Sequence, residues 1–390
     1  MAASCGNSQE NGAMQTRRGF LKNGLAASGA TLLAGAAAGS FAGNASALTP
    51  GTTGSDTPEW IMPDEGERHA ATWMAFGAGE DLWGRRLQRA AREGLAGIAK
   101  SIGSFEPVNM LVCEEDYDAA QRMCGNAVNL IVHPIDDLWI RDTGPVFVRT
   151  RHGEKAGVNF NFNGWGAKQS HANDAEVAEF VVRKAGERVL GTPLVLEGGA
   201  IEVDGEGTAI ITESCVLNVN RNPGVSKSAC ETELRRLLGV RKIIWLPGIA
   251  GKDITDGHTD FYARFVRPGV VVAHLENDTS FYEHAVTMRH LDILRQATDA
   301  AGRKLQVVAL PGPNSVRSTY ESDTFAAGYI NFYVCNGAVI TPQFGDTQTD
   351  RSTRDKLRDL FPKHDIVQLN IDGIANGGGG IHCTTQQQPV

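Results

Sequence analysis

From about Glu59 onward, short apolar runs of strand length recur along the chain, and amphipathic helical stretches separate them. "VNMLVC", "VNLIVH", "GPVFVR", "GVNFNFN", "TPLVLEGGAIEV", "TAIITE", "KIIWLP", "TDFYARFV", "GVVVAHL", "LQVVAL", "INFYVCNGAVIT" and "DIVQLNI" read as strands. "SACETELRRLL" and "SFYEHAVTMRHLDILRQATDA" read as helices opened by capping boxes, Ser228 with Glu231 and Ser280 with Glu283. In the second, Ala285, Met288, Leu291 and Leu294 form a stripe expected to face the core. "DAEVAEFVVRKAGERV" and "DRSTRDKLRDLF" add two more helices. Strands and helices that alternate without a fixed repeat length or a linker-like break predict a single α/β domain over residues 59–390.

The first 58 residues have a different character. "TRRGFLK" places a twin arginine, Arg17 and Arg18, ahead of a weakly apolar stretch rich in Ala and Gly, and "ASA" at Ala45 to Ala47 supplies small residues for cleavage. Together they resemble a twin-arginine export signal over residues 1–47, followed by a flexible lead over 48–58. The expected partner at this stage is the twin-arginine translocase, and the expected destination is periplasmic or extracellular. The stretch is too poor in large apolar residues for a permanent membrane span, and no later segment is long and apolar enough.

The formal charge is -8, and it becomes -10 when residues 1–47, with three basic residues and one acidic, are set aside. A surface of this sign argues against nucleic acid and suits a cationic ligand. Without Cys5, six cysteines remain: Cys113, Cys124, Cys215, Cys230, Cys335 and Cys383. Export permits one or two disulfides, while Cys113 and Cys335 sit in apolar runs where buried free thiols are common.

Chemistry is expected where polar residues interrupt the apolar runs. In "DITDGHTDFYARF", Asp256, His258 and Asp260 recur at a spacing of two, so an extended backbone would point all three the same way. Asp142 follows Arg141 in "DDLWIRDTGPVFV", and Glu197 precedes two glycines in "LEGGAIEVDGEGT". Near the C-terminus, "GGGGIHCTTQQQP" carries His382 and Cys383 directly after four glycines. One reading is a metal site for zinc, manganese or iron, but no His-x-His or His-Glu-x-x-His pattern accompanies the acids. Another is a cysteine acyl hydrolase, which leaves the additional carboxylates without a task. Several acids converging on one thiol instead suit a flat cation with many donors, a guanidinium group.

"WIRDTGPVFV", "NFNGWGAKQ", "LEGGAIEVDGEGT", "GHTDFYARFV", "YINFYVCNGAVITPQFGD" and "GGGGIHCTTQQQP" together resemble the agmatine deiminase family, which is related to bacterial peptidylarginine deiminases. The likeness runs from near Trp60 to the C-terminus. It implies the guanidino-group-modifying fold, a five-bladed pseudosymmetric α/β propeller with the active site in its central channel. It also implies a hydrolase with no metal or other cofactor, which converts a guanidino group to a ureido group and releases ammonia.

Carried onto this chain, the resemblance makes Cys383 the nucleophile and His258 the general acid and base. Asp142 and Asp260 become the carboxylates that hold the guanidinium nitrogens, and Glu197 the acid that orients the histidine. Trp165, in "NFNGWGAKQ", is expected either to line the substrate channel or to pack in the core, and His382 is expected to be structural. "QQQ" is read either as a set of hydrogen-bonding groups near the nucleophile or as a C-terminal anchor. In the entry segment "MPDEGERHAATWMAFG", Gly66 and the Phe76-Gly77 pair stand where agmatine-specific members usually carry tryptophans. Arginine-containing peptides therefore compete with agmatine as substrate, and a guanidinium-binding protein without turnover is the alternative of another class. A homo-oligomer is compatible with the sequence.

Overall fold

The computed structural model describes residues 14–16, 59–317, 319 and 325–390. Over the body of the chain, five small sheets form, and four of them share one plan. Val146–Arg149 pairs antiparallel with Lys155–Asn159, and a helix, Asp174–Lys184, leads to a third, parallel strand, Arg188–Gly191. Ile201–Val203, Thr208–Thr212 and Lys242–Leu246 repeat the plan around helix Lys227–Leu238. Ala263–Arg267, Val270–Leu275 and Gln306–Pro311 do so around helix His284–Gln296. Tyr333–Cys335, Ala338–Gln343 and Asp365–Asn370 do so around helix Thr347–Leu360. These are the blades of an α/β propeller.

The remaining blade joins the two ends of the propeller. His69–Ala75 pairs parallel with Val108–Val112, which in turn pairs parallel with Asn129–Val132. Its antiparallel strand is Gln386–Pro389, from the far end of the chain. The "QQQ" run is thus a strand anchor. Gln386 Nε2 donates to the Pro145 carbonyl at 2.6 Å, and Gln387 Oε1 accepts from Arg141 Nη1 at 2.7 Å. Gln388 Oε1 accepts from the Trp73 indole at 2.9 Å.

Several expectations need local correction. The cap of helix Lys227–Leu238 is Ser226, whose side chain accepts from the Ala229 N–H, so Ser228 lies two positions too late to serve. Helix His284–Gln296 begins after Glu283 without a side-chain cap, and Ser280 bonds to Asp278 instead. On that helix Thr287, His290, Leu291 and Leu294 are buried, whereas Ala285 and Met288 face outward. Its inward stripe is therefore rotated toward the polar residues Thr287 and His290. "TPLVLEGG" is irregular, and strand geometry begins only at Ile201. All six cysteines from Cys113 onward are free thiols. Helix Glu80–Gly103, absent from the sequence reading, buries Ala91, Leu95, Ile98 and Ile102 at helical spacing, with a kink at Gly84 where φ is 68°.

Buried charge fills the centre of the ring below the channel. Glu65 Oε1 accepts from Arg264 Nη2 at 2.7 Å and from the Val334 N–H at 2.9 Å. Its Oε2 accepts from Arg141 Nη2 at 3.1 Å and meets His382 Nε2 at 2.8 Å. Arg264 also donates to Glu202 Oε2 at 2.8 Å, so residues from all five blades converge on one network. Burial opposes ionisation of Glu65, but Arg264, His382 and Arg141 hold its carboxyl well below the usual range. Replacing Glu65 by Ala leaves the buried Arg141 without a carboxylate partner and Arg264 with Glu202 alone, and we expect a loss of about 3–5 kcal/mol. Urea unfolding checks this, through a lowered midpoint at unchanged slope.

Candidate active site

In each blade the innermost strand is preceded by a tight turn or short helix at the channel. Ile140–Thr143 carries Asp142, Gly198–Ala200 carries Gly199, and Thr259–Phe261 carries Asp260. Asn331 precedes Tyr333–Cys335, and His382–Thr384 carries Cys383. These turns bring the channel residues together from segments remote in sequence.

Asp142, Trp165, His258 and Cys383 line one cavity of about 470 Å³. Trp83, Trp139 and Phe325 form much of its apolar wall. The glycine run admits this wall closely. A Cβ at Gly377 or Gly379 would lie 2.1 Å from the ring of Trp83 or Trp139, respectively.

His258 Nε2 lies 3.3 Å from Glu197 Oε2, and its Nδ1 lies 3.6 Å from Asp142 Oδ1. Burial works against charge on the imidazole, but Asp142, Cys215 and Glu197 outweigh it and hold the histidine well above its usual pKa. Glu197 is fully buried and is gripped in turn by Arg221 Nε, 2.8 Å and 3.0 Å from its two oxygens. Burial alone would neutralise Glu197; the His258 hydrogen bond and the Arg221 charge keep it below its usual range.

Asp256 does not join this face. It adopts φ 62°, followed by Gly257 at 91°, so the segment turns rather than extends. Its carboxylate binds Arg221 Nη1 at 2.8 Å and Lys168 Nζ at 2.7 Å, on the far side of Glu197. The geometry thus separates the three alternating residues: His258 lines the cavity, Asp260 lies beside Cys383, and Asp256 supports from behind.

Asp260 is buried, with Oδ2 2.8 Å from His382 Nδ1 and 3.6 Å from Cys383 Sγ. Its Oδ1 is buried without a hydrogen-bond partner among the described residues. Burial favours the neutral acid, yet the contacts from His382, His258 and Arg264 hold Asp260 below its usual range. His382 is therefore structural in a specific sense, bridging Asp260 to Glu65. Asp142 is held by the Trp165 indole N–H at 3.0 Å and the Gly199 N–H at 3.2 Å. Burial, partly offset by His258, pushes Asp142 up to about 6. Trp165 serves both expected roles, being only 2 % exposed while lining the cavity.

Burial, with Asp260 and Asp142 adding like charge, pushes the Cys383 thiol well above its usual range. The site thus carries more acid than it can easily ionise, which is the electrostatic signature of a cation receptor. Glu197, Cys215 and His258 also present ligand atoms within 4.8 Å of one another. Arg221 already occupies both Glu197 oxygens, so a divalent ion there would face a fixed guanidinium.

The profile of the Porphyromonas-type peptidyl-arginine deiminase family matches residues 61–389. This chain belongs to that family. Among its relatives, the agmatine deiminase of Stutzerimonas stutzeri is 38% identical over 365 residues, covering 87% of this chain and 99% of its own. An agmatine deiminase of Pseudomonas aeruginosa is also 38% identical, covering 84% of this chain and 95% of its own. The structure of the Enterococcus faecalis agmatine deiminase superposes with a TM-score of 0.80 at 32% identity, over 86% of this chain and 98% of that one. The deiminase fold is accordingly the guanidino-group-modifying propeller.

The sequence reading missed Asn331, Arg221, Glu65 and the tryptophans Trp83 and Trp139. Asn331 alone left a local trace, as an amide inside the aromatic run "YINFYVC". Gly199, one of the two glycines after Glu197, is constrained by the same cluster. A Cβ there would sit 2.6 Å from His258 Nδ1 and 2.9 Å from Asp142 Oδ1. Gly199→Ala should drive the imidazole from Asp142 and lower the His258 pKa, a shift read by NMR titration of the imidazole protons.

Proposed function

We propose that this deiminase hydrolyses the guanidino group of agmatine, giving N-carbamoylputrescine and ammonia. The observation that carries the reading is one cavity lined by Cys383, Asp142 and His258, with Asp260 beside the sulfur. A guanidinium placed there would use Asp142 and the unpartnered Asp260 Oδ1 as acceptors, turning a bimolecular attack into a positioned one. Its positive charge offsets the burial and like charge that keep the thiol protonated, so substrate binding releases the thiol proton to solvent.

The thiolate then attacks the guanidinium carbon and forms a neutral tetrahedral adduct. His258, charged in the resting site, gives its proton to one nitrogen; that C–N bond breaks, ammonia leaves, and a cationic thiouronium remains on sulfur. Neutral His258 takes a proton from the water that attacks this intermediate. Collapse of the second adduct breaks the C–S bond, releases the hydroxyl proton, and returns the thiolate with the ureido product. Glu197, backed by Arg221 and Asp256, keeps the imidazole oriented through both proton transfers.

The cavity's charge favours agmatine over free arginine. Among the described residues its lining carries Asp137, Asp142, Asp253 and Glu283 against Lys252 and the charged His258. A diamine-like cation gains from that balance, whereas an α-carboxylate is repelled. Arginine within a peptide lacks that carboxylate, and the exposed apolar residues Leu82, Ile254 and Tyr282 at the lining make it the second reading.

Cys383→Ala should retain the fold and form no ureido product in a colorimetric assay across agmatine, free arginine and arginine peptides. Retained turnover refutes the covalent role, and turnover only of peptides selects the second reading. In the same assay kcat/KM should fall as pH drops below about 6. Asp142 titrates there in the free enzyme, and the protonated acid no longer attracts the cation.

We further infer export through the twin-arginine translocase. The support is Arg17 and Arg18 with the small-residue stretch behind them, a segment that lies outside the described residues. No helix among the described residues is long and apolar enough to cross a membrane. Fusion of residues 1–58 to a reporter should direct it out of the cytoplasm, and Arg17→Lys with Arg18→Lys should retain it there.

A further inference from the structure

We propose that Asp137 is a positioning residue that fixes Trp83 and Trp139, and through them the wall along which the substrate's tether leaves the guanidinium pocket. The inference rests on the deiminase reading of this cavity. Asp137 is only 3 % exposed, and each of its carboxylate oxygens accepts from two N–H groups. Oδ1 takes the Trp83 indole at 2.8 Å and the Leu138 N–H at 2.9 Å. Oδ2 takes the Trp139 indole and Gln169 Nε2, both at 3.0 Å. Indole and backbone N–H groups can only donate, so the ionised carboxylate is the form that satisfies the set. Burial pushes this carboxyl above its usual range, and the donors from Gln169, Trp83, Leu138 and Trp139 oppose the shift. With its acceptor positions filled, Asp137 acts on the substrate through the indoles.

The two rings come from separate parts of the fold. Trp83 stands in the first turn of helix Glu80–Gly103, just before the Gly84 kink, and Trp139 precedes the short turn that carries Asp142. The Trp139 carbonyl accepts the Asp142 N–H at 3.0 Å, which ties the wall to the guanidinium pocket. The ring centroids lie 5.8 Å apart, inclined at 31°. Exposure rises from 6 % at Trp139 through 9 % at Trp83 to 52 % at Leu82, and all three line the cavity. The wall therefore runs from the reacting end toward the mouth, and a chain of methylenes leaving the pocket meets the indoles on its way.

Close packing holds the brace itself in place. The Asp137 loop rests on Gly77 of the entry segment, where a Cβ would stand 2.4 Å from the Asp137 carbonyl carbon. The glycine run that leads to Cys383 packs directly on both rings, so an indole released from Asp137 changes the surface beside the nucleophile's own segment. Apolar contact with a tether is made alike before and during the reaction, and its loss falls on KM rather than kcat. Methylguanidine presents the same headgroup without a tether and should not feel that loss.

The test compares the full chain with Asp137→Asn, which keeps the shape but turns an NH₂ group against one pair of donors. Agmatine is the substrate, and methylguanidine is the competing inhibitor. KM for agmatine should rise about tenfold with kcat held within about twofold, while the inhibition constant of methylguanidine changes less than about twofold. Without any substrate, the indole N–H resonances of isotope-labelled protein, assigned through Trp83→Phe and Trp139→Phe, should shift in Asp137→Asn. Unshifted resonances, an unchanged agmatine KM, or equal losses for agmatine and methylguanidine in a folded Asp137→Asn overturn the proposal. If that variant loses its thermal transition, Trp83→Phe, which keeps a ring and drops one N–H, decides by the same KM-to-inhibition ratio. Because the resonances need no turnover, failure of the deiminase reading would appear separately, as activity surviving in Cys383→Ala.

Discussion

Ring closure depends on a single buried carboxylate. Glu65 draws together Arg141, Arg264 and His382, which come from three blades, and it accepts the Val334 N–H of a fourth. None of these charges is stable in the interior alone, and each is tolerable because the others are present. The network also sets the chemistry above it. His382, anchored below by Glu65, holds one oxygen of Asp260, which leaves the other buried without a hydrogen-bond partner among the described residues. Structural support and substrate recognition therefore share one line of atoms, Glu65 to His382 to Asp260.

Above that line the resting site is out of balance. Cys383 and Asp142 line a cavity walled by tryptophans with Asp260 beside the sulfur, and burial, reinforced by like charge, keeps the thiol and Asp142 from ionising at their ordinary pH. Such a pocket disfavours neutral and anionic ligands and gains most from a delocalised cation that brings several N–H donors at once. His258 differs because its two carboxylate neighbours keep it charged, and the chain Asp256, Arg221 and Glu197 fixes where that charge sits.

The strands were legible where apolar runs were unbroken, as in Val270–Leu275, because burial on both faces leaves a plain signature. Gln386–Pro389 was not legible as a strand, since its glutamines satisfy neighbouring blades rather than fill a core. The site residues came from motifs, and the fold itself came from family likeness, because no local pattern encodes five sheets closing on a channel. Period-two reading failed at Asp256 because two successive positive φ values break the extended chain. Asn331, Glu65 and Arg221 act through partners as much as 317 positions away in sequence, a relation no single segment contains.

The strand Gln386–Pro389 begins three positions after the nucleophile and zips against His69–Ala75. Seating that strand is the same event that delivers the sulfur to its acids. A molecule whose propeller has come unfastened is consequently disarmed as well as loosened, with the edge of His69–Ala75 bared and its reactive thiol carried away from every group that could activate it.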